Sequence, residues 1–104
     1  MIRIQVIEKQ GLIQEFVLRG HADYDEYGKD IVCAAVSATY LCTANACLSI
    51  NPKSIQVASE SDVQTLQVVS LDEITQKLLH NMIHCLEDLE KQYPKNIKLD
   101  KEEK

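Results

Sequence analysis

The chain has 104 residues, 45% of them hydrophobic and 26% charged, which suits one domain over residues 1–104 and leaves no room for a catalytic domain plus a separate binding domain. Its formal net charge of -5 argues against duplex nucleic acid as the main partner, because that binding is carried by Lys and Arg on phosphates; no direct nucleic-acid binding is expected. No apolar run reads as long enough to cross a bilayer, and MIRIQVIEKQ lacks the parts of an export signal, so a cytoplasmic protein without membrane contact is expected.

Ile2, Ile4 and Val6 alternate with Arg3 and Gln5, the period of a half-buried strand. Glu8 to Gly11 reads as a turn and Leu12 to Leu18 as a second strand, so the opening is a β-hairpin. Arg19 and Gly20 end it, and Gly20 permits close backbone approach just before His21. Residues 22–29 are polar and acidic without periodicity. Asp23, Tyr24, Asp25, Glu26, Tyr27 and Gly28 read either as a solvated connector or as a lid over a site, with Gly28 as pivot.

Asp30 is a good N-cap for a helix over Ile31 to Ile50, stopped by Asn51 and Pro52. Alanines at positions 34, 35, 38, 44 and 46 suggest a closely packed, largely buried helix. Ser54 to Ser59 and Val63 to Val69 form a second hairpin around Glu60, Ser61 and Asp62. Leu71 to Tyr93 is amphipathic, with Ile74, Leu78, Met82, Cys85 or Leu86, Leu89 and Tyr93 on its stripe, and Pro94 closes it. Asn96 to Leu99 offers an optional short last strand; Asp100 to Lys104 reads as a frayed charged tail. The order ββαββα, with that final strand, predicts an α+β fold: an antiparallel or mixed sheet from two hairpins, packed with two helices.

The helix cap puts Cys33 in the first turn, where the partial positive charge of the helix terminus favours thiolate over thiol. His21 ends the preceding hairpin. A cysteine and a histidine so placed supply the nucleophile and proton acceptor of thiol catalysis, although buried cysteines are commonly inert and strand-end histidines commonly structural. Asp30 is most simply a cap; the functional alternative is that it restrains the loop or orients the site. Ser37 lies one turn beyond Cys33 on the same face. Cys42, Cys47 and Cys85 read as small core residues, all thiols as free. No CxxC spacing marks a zinc site. His80 and His84 are one turn apart, but Asn81 stands where HExxH would place glutamate and no third ligand is spaced nearby. Neither metal nor cofactor is called for.

At these residues the sequence resembles the ribosomal-processing cysteine proteases called Prp, or YsxB-like proteins. The shared signature is Gly20-His21-Ala22, a short acidic and aromatic loop, then Gly28-Lys29-Asp30-Ile31-Val32-Cys33-Ala34-Ala35-Val36-Ser37-Ala38. The similarity extends through the first hairpin to Gln92-Tyr93-Pro94. The resemblance implies a catalytic dyad of His21 and Cys33, with functional weight on Asp30 and Ser37, a site supported by Gly20, and a moving loop between the dyad residues. It implies cleavage of the N-terminal extension of large-subunit ribosomal protein twenty-seven during ribosome assembly, by a homodimer. Oxyanion donors are expected among amides near Gly20 or the helix start. The main rival is a non-catalytic assembly factor that binds a ribosomal protein or RNA. A redox-responsive thiol protein ranks behind it, since Cys33 has no resolving cysteine nearby in sequence.

Overall fold

A computed structural model describes residues 1–26 and 29–104. The elements are β1 (Ile2–Lys9), β2 (Leu12–Arg19), α1 (Ile31–Ile50), β3 (Ile55–Glu60), β4 (Val63–Val68), α2 (Glu73–Gln92) and β5 (Ile97–Glu103). The α+β expectation holds. The five strands form one mixed sheet in the order β3-β4-β2-β1-β5, antiparallel except for the β1–β5 pair.

Alternation decides which face is covered. Ile2, Ile4 and Val6 of β1, Phe16 and Leu18 of β2, Leu66 of β4 and Ile97 of β5 share one core with residues of both helices, so α1 and α2 lie on the same face of the sheet. The Phe16 and Tyr40 rings stack with centroids 5.4 Å apart, joining β2 to α1. Register slips between Ile7 and Glu8. Opposite that irregularity the buried Gln76 of α2 pairs with both backbone groups of Ile13: its Oε1 accepts from the Ile13 amide and its Nε2 donates to the Ile13 carbonyl, each at 2.8 Å. A polar side chain deep in the core is thereby satisfied at both ends.

Six expectations need correction. The strands of the first hairpin run on to Lys9, leaving Gln10 and Gly11 as the turn, with φ of 53° and 78°, the left-handed pair that a tight hairpin requires. Asp100 to Glu103 is no frayed tail: β5 extends to Glu103 and pairs in parallel with β1 from Ile2↔Ile97 to Glu8↔Glu103. Backbone pairing holds it there, which charged side chains on an edge strand do not oppose.

Helix α1 is not largely buried. Only Val32, Val36, Tyr40, Ala44 and Cys47 are, a stripe at helical spacing, while Ile31, Leu41 and Ile50 are exposed. Its 20 residues are also long and apolar enough to cross a bilayer by length and composition, contrary to expectation; its stripe is spent on the core instead. On α2 the buried set is Thr75, Gln76, Leu79, Met82, Ile83 and Leu86, with Ile74 exposed. The stripe is thus rotated by about one residue. Of the three cysteines read as core, Cys47 is buried and Cys42 and Cys85 are exposed.

Candidate active site

Asp30 organises the site. It caps α1 with Oδ1, which accepts from the amides of Val32 (3.0 Å) and Cys33 (2.9 Å). Its other oxygen, Oδ2, accepts from the amides of Tyr24 (2.9 Å) and Asp25 (3.4 Å) in the preceding loop. Desolvation pushes this carboxyl upward, but hydrogen bonds from the Cys33, Tyr24, Asp25 and Val32 amides outweigh it and hold the group below the usual carboxylate range. One carboxylate therefore fixes both the helix turn that carries the thiol and the loop beside it.

Cys33 is half-buried in that first turn. Its Sγ accepts a hydrogen bond from the Ala22 amide at 3.2 Å, so the chain just past β2 is seated directly on the sulfur. Ala22 is itself buried, and its carbonyl accepts from Nδ2 of Asn96 at 2.9 Å. Gly20 turns the chain toward the helix at φ 88°; a Cβ there would come within 2.6 Å of the Met1 carbonyl oxygen. Only glycine meets both demands without strain.

His21 projects into the same cleft as Cys33. Its Nε2 lies 3.2 Å from Oδ1 of Asp62, in the turn between β3 and β4. The cleft is an open concavity of about 700 Å³ whose lining includes His21, Cys33, Ser37 and the four aspartates Asp23, Asp25, Asp30 and Asp62, over a floor with Ile2, Leu18 and Val36. Ser37 is exposed one turn after Cys33. Of the expected lid, Asp23 is paired with the Met1 ammonium at 3.0 Å. The Tyr24 ring meets that of Tyr93 edge-on at 5.5 Å, and the Lys29 amide donates to the Glu26 carbonyl at 2.9 Å. Tyr27 and Gly28 lie outside the described residues.

Four of the expected oxyanion donors are engaged elsewhere in this conformation. The Gly20 amide donates to the Asp62 carbonyl, the Val32 and Cys33 amides to the Asp30 side chain, and the Ala34 amide to the Asp30 carbonyl. The amide that faces the sulfur is Ala22. Sequence reasoning missed Asp62, Asn96 and the Met1 ammonium. Each lies far along the chain from the element it touches, and in sequence Asp62 reads only as part of a hairpin turn. Among the described residues no group of three or more His, Cys, Asp or Glu side chains is placed to hold a metal.

Comparison with known proteins agrees with the geometry. A family model described as cysteine protease Prp matches residues 1–98. The ribosomal processing cysteine protease Prp of Staphylococcus aureus is 29% identical over 104 residues, covering 96% of this chain and 98% of that one. A crystal structure of the essential ribosomal processing protease Prp from S. aureus with a covalently linked product peptide superposes with a TM-score of 0.94 at 27% identity, over 98% of this chain and all of that one. The same protease with a substrate peptide gives 0.87 at 25% identity, over the same shares. An α1 cap that presents a thiol in a cleft, on a fold shared end to end with peptide-bound proteases, leads to one conclusion: this chain belongs to the Prp family and is a cysteine protease.

Proposed function

We propose that the chain is an endopeptidase working through a dyad of Cys33 and His21, and that its substrate is the N-terminal extension of large-subunit ribosomal protein twenty-seven. The observation that carries the dyad is the hydrogen bond from Ala22 to the Cys33 sulfur, which docks the residue after His21 on the nucleophile within one cleft. In the reaction His21 takes the thiol proton, Cys33 Sγ attacks the scissile carbonyl, and the leaving amine recovers the proton from His21. Water, deprotonated by the same imidazole, then hydrolyses the thioester and frees the thiol. The Ala22 amide, already aimed at the sulfur, is within reach of the oxyanion two bonds beyond it. Asp30 and Ser37 support the site, the first by its four amide bonds and the second by its place in the cleft wall.

The substrate assignment rests on the ribosomal processing role of the relatives and on the acidic cleft, whose four aspartates complement a basic ribosomal-protein segment and would chiefly speed encounter. The loop from Asp23 to Gly28 acts as the substrate lid. The whole chain serves as one catalytic domain in the cytoplasm, where ribosomes assemble. It works as a homodimer: Ala38, Leu41, Cys42 and Asn45 are exposed on one side of α1, a mainly apolar face suited to a second copy. Sedimentation of the wild type as a dimer and of Leu41→Glu as a monomer is expected; a monomeric wild type at micromolar concentration rejects that state.

Incubating the protein with a peptide spanning the ribosomal extension and reading the products by mass spectrometry tests the function. A single new N-terminus with wild type, and none with Cys33→Ala or His21→Ala, is the expected result. Peptide binding without cleavage would instead identify an assembly factor.

A further inference from the structure

The dyad reading leaves open what holds the His21 ring. Asp30 is the obvious acid, being nearest in sequence to Cys33, but its two oxygens already accept four backbone amides. The carboxylate that meets the imidazole comes from the other hairpin. Oδ1 of Asp62 is 3.2 Å from His21 Nε2, and the Asp62 carbonyl accepts from the Gly20 amide at 3.2 Å. One turn residue thus grips both the backbone before His21 and the ring itself. Ser61, with φ 51°, makes the two-residue turn between Glu60 and Val63 that brings Asp62 there.

We propose that Asp62 is a positioning residue for the protease reaction, acting through His21; this rests on the dyad reading above. An ionised carboxylate only accepts hydrogen bonds, so Nε2 carries the proton that it donates to Asp62. That tautomer leaves the Nδ1 lone pair to receive the Cys33 proton. Once the imidazolium forms, the Asp62 charge stabilises it, as the third member of a nucleophile–base–orienter arrangement does. The other ionisable groups lining the cleft are Cys33, Asp23, Asp25 and Asp30. Both side chains of the pair are more than half exposed, 57% and 64%. Water screens such a contact, so its loss should cost about tenfold in rate, well short of what losing the nucleophile costs.

The test compares wild type with Asp62→Ala and Asp62→Asn on the extension peptide, with Cys33→Ala and His21→Ala alongside. Asp62→Ala should lower kcat about tenfold with KM within about twofold. Asp62→Asn keeps an acceptor oxygen and should recover part of kcat. In a His21→Ala background, Asp62→Ala should have no further effect. Iodoacetamide alkylation of Cys33 without substrate, followed by peptide mapping, should slow in both variants.

Wild-type kcat and alkylation in both Asp62 variants would overturn the proposal while the dyad stands. So would a loss confined to KM, which would place Asp62 in substrate binding. Should Asp62→Ala fail to fold, Asp62→Asn carries the same comparison. Full activity in His21→Ala or Cys33→Ala would bring down the dyad itself, a distinguishable failure.

Discussion

Both helices of this protein begin with an aspartate cap, and the two caps do different work. Asp72 serves its own neighbourhood: Oδ1 accepts from the Thr75 amide at 2.8 Å, while Oδ2 accepts from the hydroxyls of Ser70 and Thr75. Asp30 spends one oxygen on its helix and the other on a loop six residues upstream. Both are aspartates with extended backbone that accept from first-turn amides, two at Asp30 and one at Asp72. What ties one cap to the proposed active site is where its second oxygen points.

Cys33→Ala marks the floor of that contrast. It should remove turnover on the order of a thousandfold or more with no loss of secondary structure by circular dichroism; residual cleavage near the wild-type rate would detach the Asp30 cap from any catalytic role. Asp30→Ala comes next. Releasing the loop amides and the Cys33 amide together displaces the nucleophile from its neighbours, and a misplacement near 1 Å costs about a hundredfold in activity. Asp72→Ala should lower the melting temperature by a comparable amount yet keep kcat within about twofold of wild type when assayed below the transition. If the two variants lose activity equally, the difference between the caps is illusory.

Gly20→Ala tests the same loop from its other end. Left-handed φ with a side chain costs about 1–2 kcal/mol, and the Met1 carbonyl blocks the new Cβ, so a lower melting temperature and roughly tenfold slower turnover are expected. Wild-type kinetics in that variant would show that the chain before His21 tolerates displacement.

The smallest effect is electrostatic. The Thr75 amide and then the Ser70 hydroxyl hold the Asp72 carboxyl low, and the four amides hold Asp30 low against desolvation. The unfolded chain therefore takes up these protons first as pH falls. Each carboxylate contributes stability that is complete above the ordinary aspartate value of 3.8 and is lost as pH falls below it, through the depressed folded-state value. Urea melts of Asp30→Asn and Asp72→Asn should show a shallower loss of stability below that pH than wild type; an unchanged slope in both would deny the caps this role.

Much of the scaffold could be read in advance because local chemistry marks it. Asp30 before an apolar run, and Asn51-Pro52 after it, bound α1 at Ile31–Ile50 as expected. Alternating Ile and Val drew the strands. Sidedness was harder: α1 is apolar almost all round, so its composition could not say that Leu41 faces outward while Tyr40 is buried. The acidic end of β5 reads as a tail because parallel pairing with β1 uses backbone groups and leaves no mark in side-chain pattern. In the cleft, Asp30 and Cys33 were legible as cap and first turn. The partner of the His21 ring was not, because Asp62 reaches it only once β4 pairs with β2.

The four thiols differ sharply in what they offer a reagent. Burial, and then the charge of Asp72, push the Cys47 thiol up, leaving it a poor target, whereas Cys85, and in an isolated subunit Cys42, stand more open to solvent than Cys33. Accessibility alone would steer a generic electrophile to the wrong sulfurs. An inhibitor warhead for this enzyme can draw its selectivity from the cleft around Cys33, whose four aspartates would hold a cationic group beside it.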